Sequence, residues 1–233
     1  MKFFAIIFLI ISSVYSSECI VLLHGLGRTS KSLGSLENYL KRKNYSVYNI
    51  DYPSTKLSIE DICSKSISKP IADISKKYDT LNFVTHSMGG IVLRYYLQNN
   101  NIKCGKIVMI APPNQGSELS NQLKKNVNWL YYRIDGPSGQ QLGTDSMSII
   151  RRLDKLKYRI GIIAGDKSME PWFKSYVNGK NDGKVKVAEC KLAEMSDFIV
   201  LNHTHTFIMN SKDTKYQVYY FLKNGVFNKK KEP

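Results

Sequence analysis

The 233-residue sequence contains only four cysteines and four histidines, and no two cysteines stand in C-x-x-C spacing. That spacing is what tetrahedral zinc sites and dithiol redox motifs use, so the pattern supports neither chemistry. Beyond an apolar stretch at the extreme N-terminus, no run approaches the roughly 20 residues that a bilayer-spanning helix needs. Acidic residues are scarce, 19 Asp plus Glu against 34 Lys plus Arg, for a formal net charge of +15. The lysines are scattered apart from Lys229-Lys230-Lys231, and no nucleic-acid-binding module is recognisable, so nucleic acid is not an expected partner. The charge balance favours anionic partners such as phospholipid headgroups or cell-surface polymers. Internal repeats and low-complexity segments are also absent.

Met1-Lys2 followed by the apolar run Phe3 to Ile11, with Val14-Tyr15-Ser16 at the cleavage positions, has the layout of a secretory signal peptide covering residues 1–16. A secreted or periplasmic location is the expectation; an uncleaved N-terminal anchor is the alternative. Removing Lys2 with the leader lowers the charge from +15 to +14. The remaining residues, 17–233, suffice for one α/β domain with a sizeable core. Export would expose Cys19, Cys63, Cys104 and Cys190 to an oxidising compartment. Three complete pairings are open to four cysteines, and buried unpaired thiols are equally consistent with the pattern.

Cys19 to Leu23 forms a short continuous apolar run, the signature of a strand buried on both faces, and further strands are read at Ser46 to Ile50, Leu81 to Val84, Lys106 to Ile110, Arg159 to Ala164 and Phe198 to Leu201. Between them, apolar residues recur at helical spacing in Leu33, Leu36 and Leu40, in Ile59 to Ile74, in Ile91 to Leu97, and in Val218, Phe221 and Leu222. Pro70 either kinks one helix or begins a second. This alternation predicts a mostly parallel sheet with helices on both faces. From Pro112 to about Tyr158 the pattern is irregular, with Trp129-Leu130-Tyr131-Tyr132 in a polar setting and a break at Gly136-Pro137-Ser138-Gly139. Residues 112–158 are read as a small cap.

The chemistry centres on Leu81 to Gly90, LNFVTHSMGG, where a strand turns into a helix at Ser87. A G-x-S-x-G nucleophile elbow needs that context, with small neighbours relieving a strained turn that holds the hydroxyl out above the sheet. Thr85 occupies the first glycine position. A serine nucleophile needs a base, and the base an orienting carboxylate. His24 and His86 flank glycine-rich turns, which leaves His203 and His205 as candidate bases. Asp166 and Asp182 are both plausible acids after a strand. Spacing alone selects neither histidine nor aspartate. Asn44-Tyr45-Ser46 and Asn202-His203-Thr204 match the N-glycosylation pattern, and a glycan at Asn202 would crowd the proposed base.

The motifs VLLHGLG at Val21 to Gly27, THSMGG at Thr85 to Gly90, APPNQGS at Ala111 to Ser117, GPSGQQL at Gly136 to Leu142, NDGKV at Asn181 to Val185 and HTFIM at His205 to Met209 resemble those of α/β-hydrolase-fold serine esterases. More narrowly, they are similar to small bacterial lipase-like hydrolases and to the lipase domain related to the GPI inositol-deacylases. The resemblance implies the α/β-hydrolase fold, with Ser87 as nucleophile, Asp182 as acid, His205 as base, and the amides of Leu26 and Met88 as the oxyanion hole. It implies hydrolysis of small-molecule or lipid esters with no cofactor or metal. The same three groups could instead pass an acyl group to an alcohol or amine. A catalytically silent hydrolase fold serving as an envelope binding protein would need none of them.

Overall fold

The computed structural model describes residues 17–169 and 177–230. The leader, residues 1–16, lies outside the described residues, as do the side chains of 127–132, which include the Trp129 to Tyr132 cluster. Six strands, β1 (Glu18–Leu23), β2 (Ser46–Ile50), β3 (Thr80–His86), β4 (Cys104–Ile110), β5 (Arg159–Gly165) and β6 (Asp197–Leu201), pair in parallel in the order β2-β1-β3-β4-β5-β6. After β2 the chain returns past β1 to β3, so the winding direction reverses between β1 and β3. In open α/β sheets the crevice beyond the carboxyl ends of such strands is where ligands bind.

Alternate residues of each strand feed two cores. Cys19, Val21 and Leu23 of β1, Phe83 of β3, Ile107 and Met109 of β4, and Ile160 and Ile162 of β5 face one side. There they meet α2 (Ile59–Ile62), α3 (Ser68–Ser75) and α4 (Met88–Asn99). Ile20, Leu22, Val84, Val108 and Ile163 face the other, against α1 (Gly34–Lys41) and the closing helix Lys212–Asn224. Both faces of the central strands β1, β3, β4 and β5 are therefore largely dry, which is why those strands are rich in apolar residues rather than alternating. Burying each such Val, Leu or Ile contributes about 1.5–3 kcal/mol. Gly161 is empty for a reason: a Cβ there would lie 2.5 Å from the Phe221 ring.

Pro70 is the third residue of α3, within its first turn. Immediately before, Cys63–Ile67 widens into a π turn, and the Ser68 hydroxyl donates to the Cys63 carbonyl at 2.8 Å. The wider turn carries the helix past a residue that lacks an N–H donor.

The segment read as irregular contains a long helix, α5 (Glu118–Gln140). Gly136 interrupts its geometry with φ 64°, and a Cβ there would overlap the Thr55 carbonyl, so the GPSG break is real but sits near the end of the helix. Beyond it Leu142, Ile149, Ile150 and Leu156 join the first core. A short helix, α6 (Val187–Cys190), precedes β6, and the closing helix is α7. All four cysteines are free thiols. Burial pushes Cys63 and Cys104 up to about 12, and burial together with Glu18 takes Cys19 to about 11, so these groups stay protonated. Among the described residues no helix is long and apolar enough to cross a membrane.

Candidate active site

The strand β3 ends at His86 and α4 begins at Met88, so Ser87 alone makes the turn, at φ 53° and ψ −126°. Such a backbone costs a non-glycine residue on the order of 1–3 kcal/mol. Its N–H donates to the Ile110 carbonyl at 2.8 Å, and its carbonyl accepts from Gly90 at 3.0 Å. The neighbours must be small. A Cβ on Gly89 would lie 2.4 Å from the Leu23 carbonyl oxygen, and one on Gly25 would lie 3.0 Å from the Ser87 Cβ. Thr85 is tolerated in the first glycine position because the positive φ falls on Ser87 and not on residue 85, which is ordinary buried strand.

Three side chains distant in sequence meet beside this turn. Ser87 Oγ stands 3.0 Å from His205 Nε2, and His205 Nδ1 stands 2.7 Å from Asp182 Oδ2. A carboxylate can only accept, so the ring proton sits on Nδ1 and the Nε2 lone pair faces the Ser87 hydroxyl. Asp182 is fully buried, and its Oδ1 accepts from the amides of Lys184 at 3.0 Å and Val185 at 2.8 Å. Its backbone carbonyl accepts from the His205 N–H at 2.8 Å. The turn that carries it closes through Gly183 at φ 100°, whose N–H donates to Asn181 Oδ1. Gly165 leaves the space for the approach: a Cβ there would lie 2.7 Å from Asp182 Cβ and 2.5 Å from the His203 carbonyl oxygen.

The alternatives left open by the sequence lie elsewhere. Asp166 accepts from Asn202 Nδ2 at 3.1 Å, and His203 turns away to Asp213, with Nε2 2.8 Å from both carboxylate oxygens. His24 stacks on Tyr52 with ring centroids 3.9 Å apart, and the Tyr52 hydroxyl donates to the His24 carbonyl, bracing the turn that presents Leu26. Neither the Leu26 N–H nor the Met88 N–H, the first of α4, meets an acceptor among the described residues. Both amides are thus free to donate, and that of Met88 directly follows Ser87 in the chain. His86 had no assigned role in the sequence, yet its Nε2 donates to the His205 carbonyl at 3.1 Å. Its only sequence signal is its position directly before the serine.

Comparison with known proteins agrees with this architecture. The mature lipase BlEst2 of Bacillus licheniformis superposes with a TM-score of 0.75 at 19% identity, covering 91% of this chain and 93% of that one. The phospholipase PlaB of Legionella pneumophila gives 0.63 at 17% identity, covering 87% of this chain but only 57% of that enzyme. A metagenomic carboxyl esterase, MGS0156, gives 0.64 at 17%, covering 83% of this chain and 66% of that one. No curated protein matches the chain in sequence. The model of the alpha/beta hydrolase fold family matches residues 18–198, well over half of the sequence, and the chain belongs to that family.

Proposed function

We propose that the protein is a serine hydrolase of carboxylic esters, with Ser87 as nucleophile, His205 as base and Asp182 as the group that orients it. One observation carries this reading: the unbroken line from Ser87 Oγ through His205 to Asp182, at 3.0 and 2.7 Å. His205 Nε2 takes the hydroxyl proton as Ser87 Oγ attacks the ester carbonyl carbon. The resulting oxyanion accepts from the Leu26 and Met88 amides. Collapse breaks the ester C–O bond, and the leaving alcohol takes the proton from His205. Water then attacks the acyl-enzyme, passing its proton through His205 back to Ser87 Oγ as the acid leaves. Asp182 stays ionised throughout and holds the imidazole in its tautomer.

We infer an acyl or lipid ester as substrate, reached at an anionic surface after export through the leader at 1–16. The charge of +14 left after the leader and its Lys2 are removed supports the surface, and the lipase and phospholipase among the structural neighbours support the substrate class. The helix α5 and its continuation would form the cap beside the site. The narrower likeness to inositol-deacylases rests on the motifs alone.

A chain-length series of p-nitrophenyl esters, run beside phospholipid vesicles, tests the reading. Release from long-chain esters or vesicles, abolished by Ser87→Ala, is the expected result. Activity confined to short soluble esters would remove the lipid substrate while keeping the esterase. Full activity in Ser87→Ala would remove both.

A further inference from the structure

We propose that His86 is a positioning residue for His205: a neutral imidazole that holds the main-chain carbonyl of the base and so fixes the base against the nucleophile. The inference rests on the Ser87–His205–Asp182 reading above. His86 ends β3, directly precedes Ser87, and is only 2% exposed. Its Nε2 stands 3.1 Å from the His205 carbonyl oxygen, with ring centroids 5.0 Å apart and planes tilted by 45°. A carbonyl can only accept, so Nε2 carries the proton and donates. Nδ1 has no partner among the described residues, so this is the one hydrogen bond the buried ring makes. An apolar residue would fill the space without the penalty of leaving a buried nitrogen unsatisfied. A role served by the Nε2 proton accounts for an imidazole here.

The consequence is geometric. His205 lies 118 residues beyond Ser87, on a loop that follows the edge strand β6. Its peptide is held at two points: its N–H donates to Asp182, and its C=O accepts from His86. The first point ties base to acid. The second ties base to the residue bonded to the nucleophile, so the Ser87–His205 distance is set across one side chain and not through the long loop. A misplacement of about 1 Å at such a contact can cost on the order of 100-fold in rate.

The ring also has to remain uncharged. Burial holds its pKa well below the ordinary histidine value, and the charges that face it act in the same direction: His205 when protonated, Arg28 after β1, and Lys184 in the acid turn. Only the His205 carbonyl opposes them. When His205 takes up the serine proton, it therefore has a neutral neighbour and not a second cation.

Two substitutions separate positioning from packing. His86→Phe fills the space without a donor, and His86→Gln restores an N–H near the Nε2 position. With p-nitrophenyl butyrate, His86→Phe is expected to lower kcat by about 10- to 100-fold with KM within about twofold, and His86→Gln to recover kcat to within about threefold of wild type. A purely structural role would make losses follow the thermal midpoint and would gain nothing from the amide. Wild-type kcat in His86→Phe, or a folded His86→Gln as slow as His86→Phe, overturns the proposal. Should His86→Phe fail to fold, His86→Gln decides: folded with near-wild-type kcat it supports the role, and folded with a loss above about tenfold it refutes it. A Ser87→Ala control keeps the two readings apart, since residual hydrolysis there would defeat the triad itself and not merely the part given to His86.

Discussion

Two histidines two residues apart on one loop each pair with an aspartate, and the two distances hardly differ. His205 meets Asp182 at 2.7 Å and His203 meets Asp213 at 2.8 Å. Their surroundings differ completely. The side chains of the first pair are 8% and 0% exposed, those of the second 30% and 51%. His205 has an alcohol at its far nitrogen, and Asp182 has two amide donors on its free oxygen. Asp213 instead sits in the first turn of α7, where a carboxylate complements the helix N-terminus. A short imidazole–carboxylate contact is therefore not by itself a catalytic unit. Dry surroundings and an aligned hydroxyl distinguish the pair at 205.

The comparison is broken most decisively at the histidines. His205→Ala is expected to lower the ester hydrolysis rate by roughly 10^4 to 10^6, while His203→Ala leaves it within about twofold of wild type. Steady-state assays on one p-nitrophenyl ester measure both. At the aspartates, Asp182→Asn should cost about 10^4 in kcat because the amide favours the wrong imidazole tautomer, and Asp213→Asn should cost nothing measurable. Gly165→Ala probes the junction of the two loops. Its Cβ would press on the His203 carbonyl and on Asp182, and an expected loss of about 1–3 kcal/mol in urea unfolding should accompany a fall in kcat. The smallest effect concerns acid stability. Burial raises the Asp213 carboxyl, but hydrogen bonds from Ser211 and His203 and the charge of His203 outweigh it and hold the group below its ordinary value. Its contribution is thus present above the unfolded pKa near 4 and lost as pH falls through the folded one. Asp213→Asn should remove under about 1 kcal/mol of that acid-dependent stability, given the exposure of the pair. Unfolding curves at pH 7 and pH 3 test this.

The central strands were readable in the sequence because both their faces are covered, and the ends of all six strands differ from expectation by no more than two residues, as at Cys104–Ile110 against Lys106 to Ile110. Ser46–Ile50 coincides with its reading. The elbow was readable for a different reason: Ser87 needs Gly89 and Gly90 at fixed offsets, and that constraint is local. Helix α5 was not readable. Its sequence is polar and carries Gly136-Pro137 near the C-terminal end, so neither periodicity nor breakers marked a 23-residue helix. The contact of His205 with Asp182 was also out of reach of spacing, because alternation along a strand does not operate in the turn at 203–205. The motif resemblance pointed to the pair that the structure brings together, and the environments of Asp166 and His203 supply the physical reason. The contact of His86 with the His205 carbonyl depends on two loops meeting across 119 residues, which no local pattern records.

The most direct test is covalent. A fluorophosphonate probe, followed by peptide mapping, should place one adduct on Ser87 in the wild type and in His203→Ala, with labelling slowed by orders of magnitude in His205→Ala. Labelling that proceeds equally fast without the imidazole at 205, or an adduct on any other serine, would contradict the account.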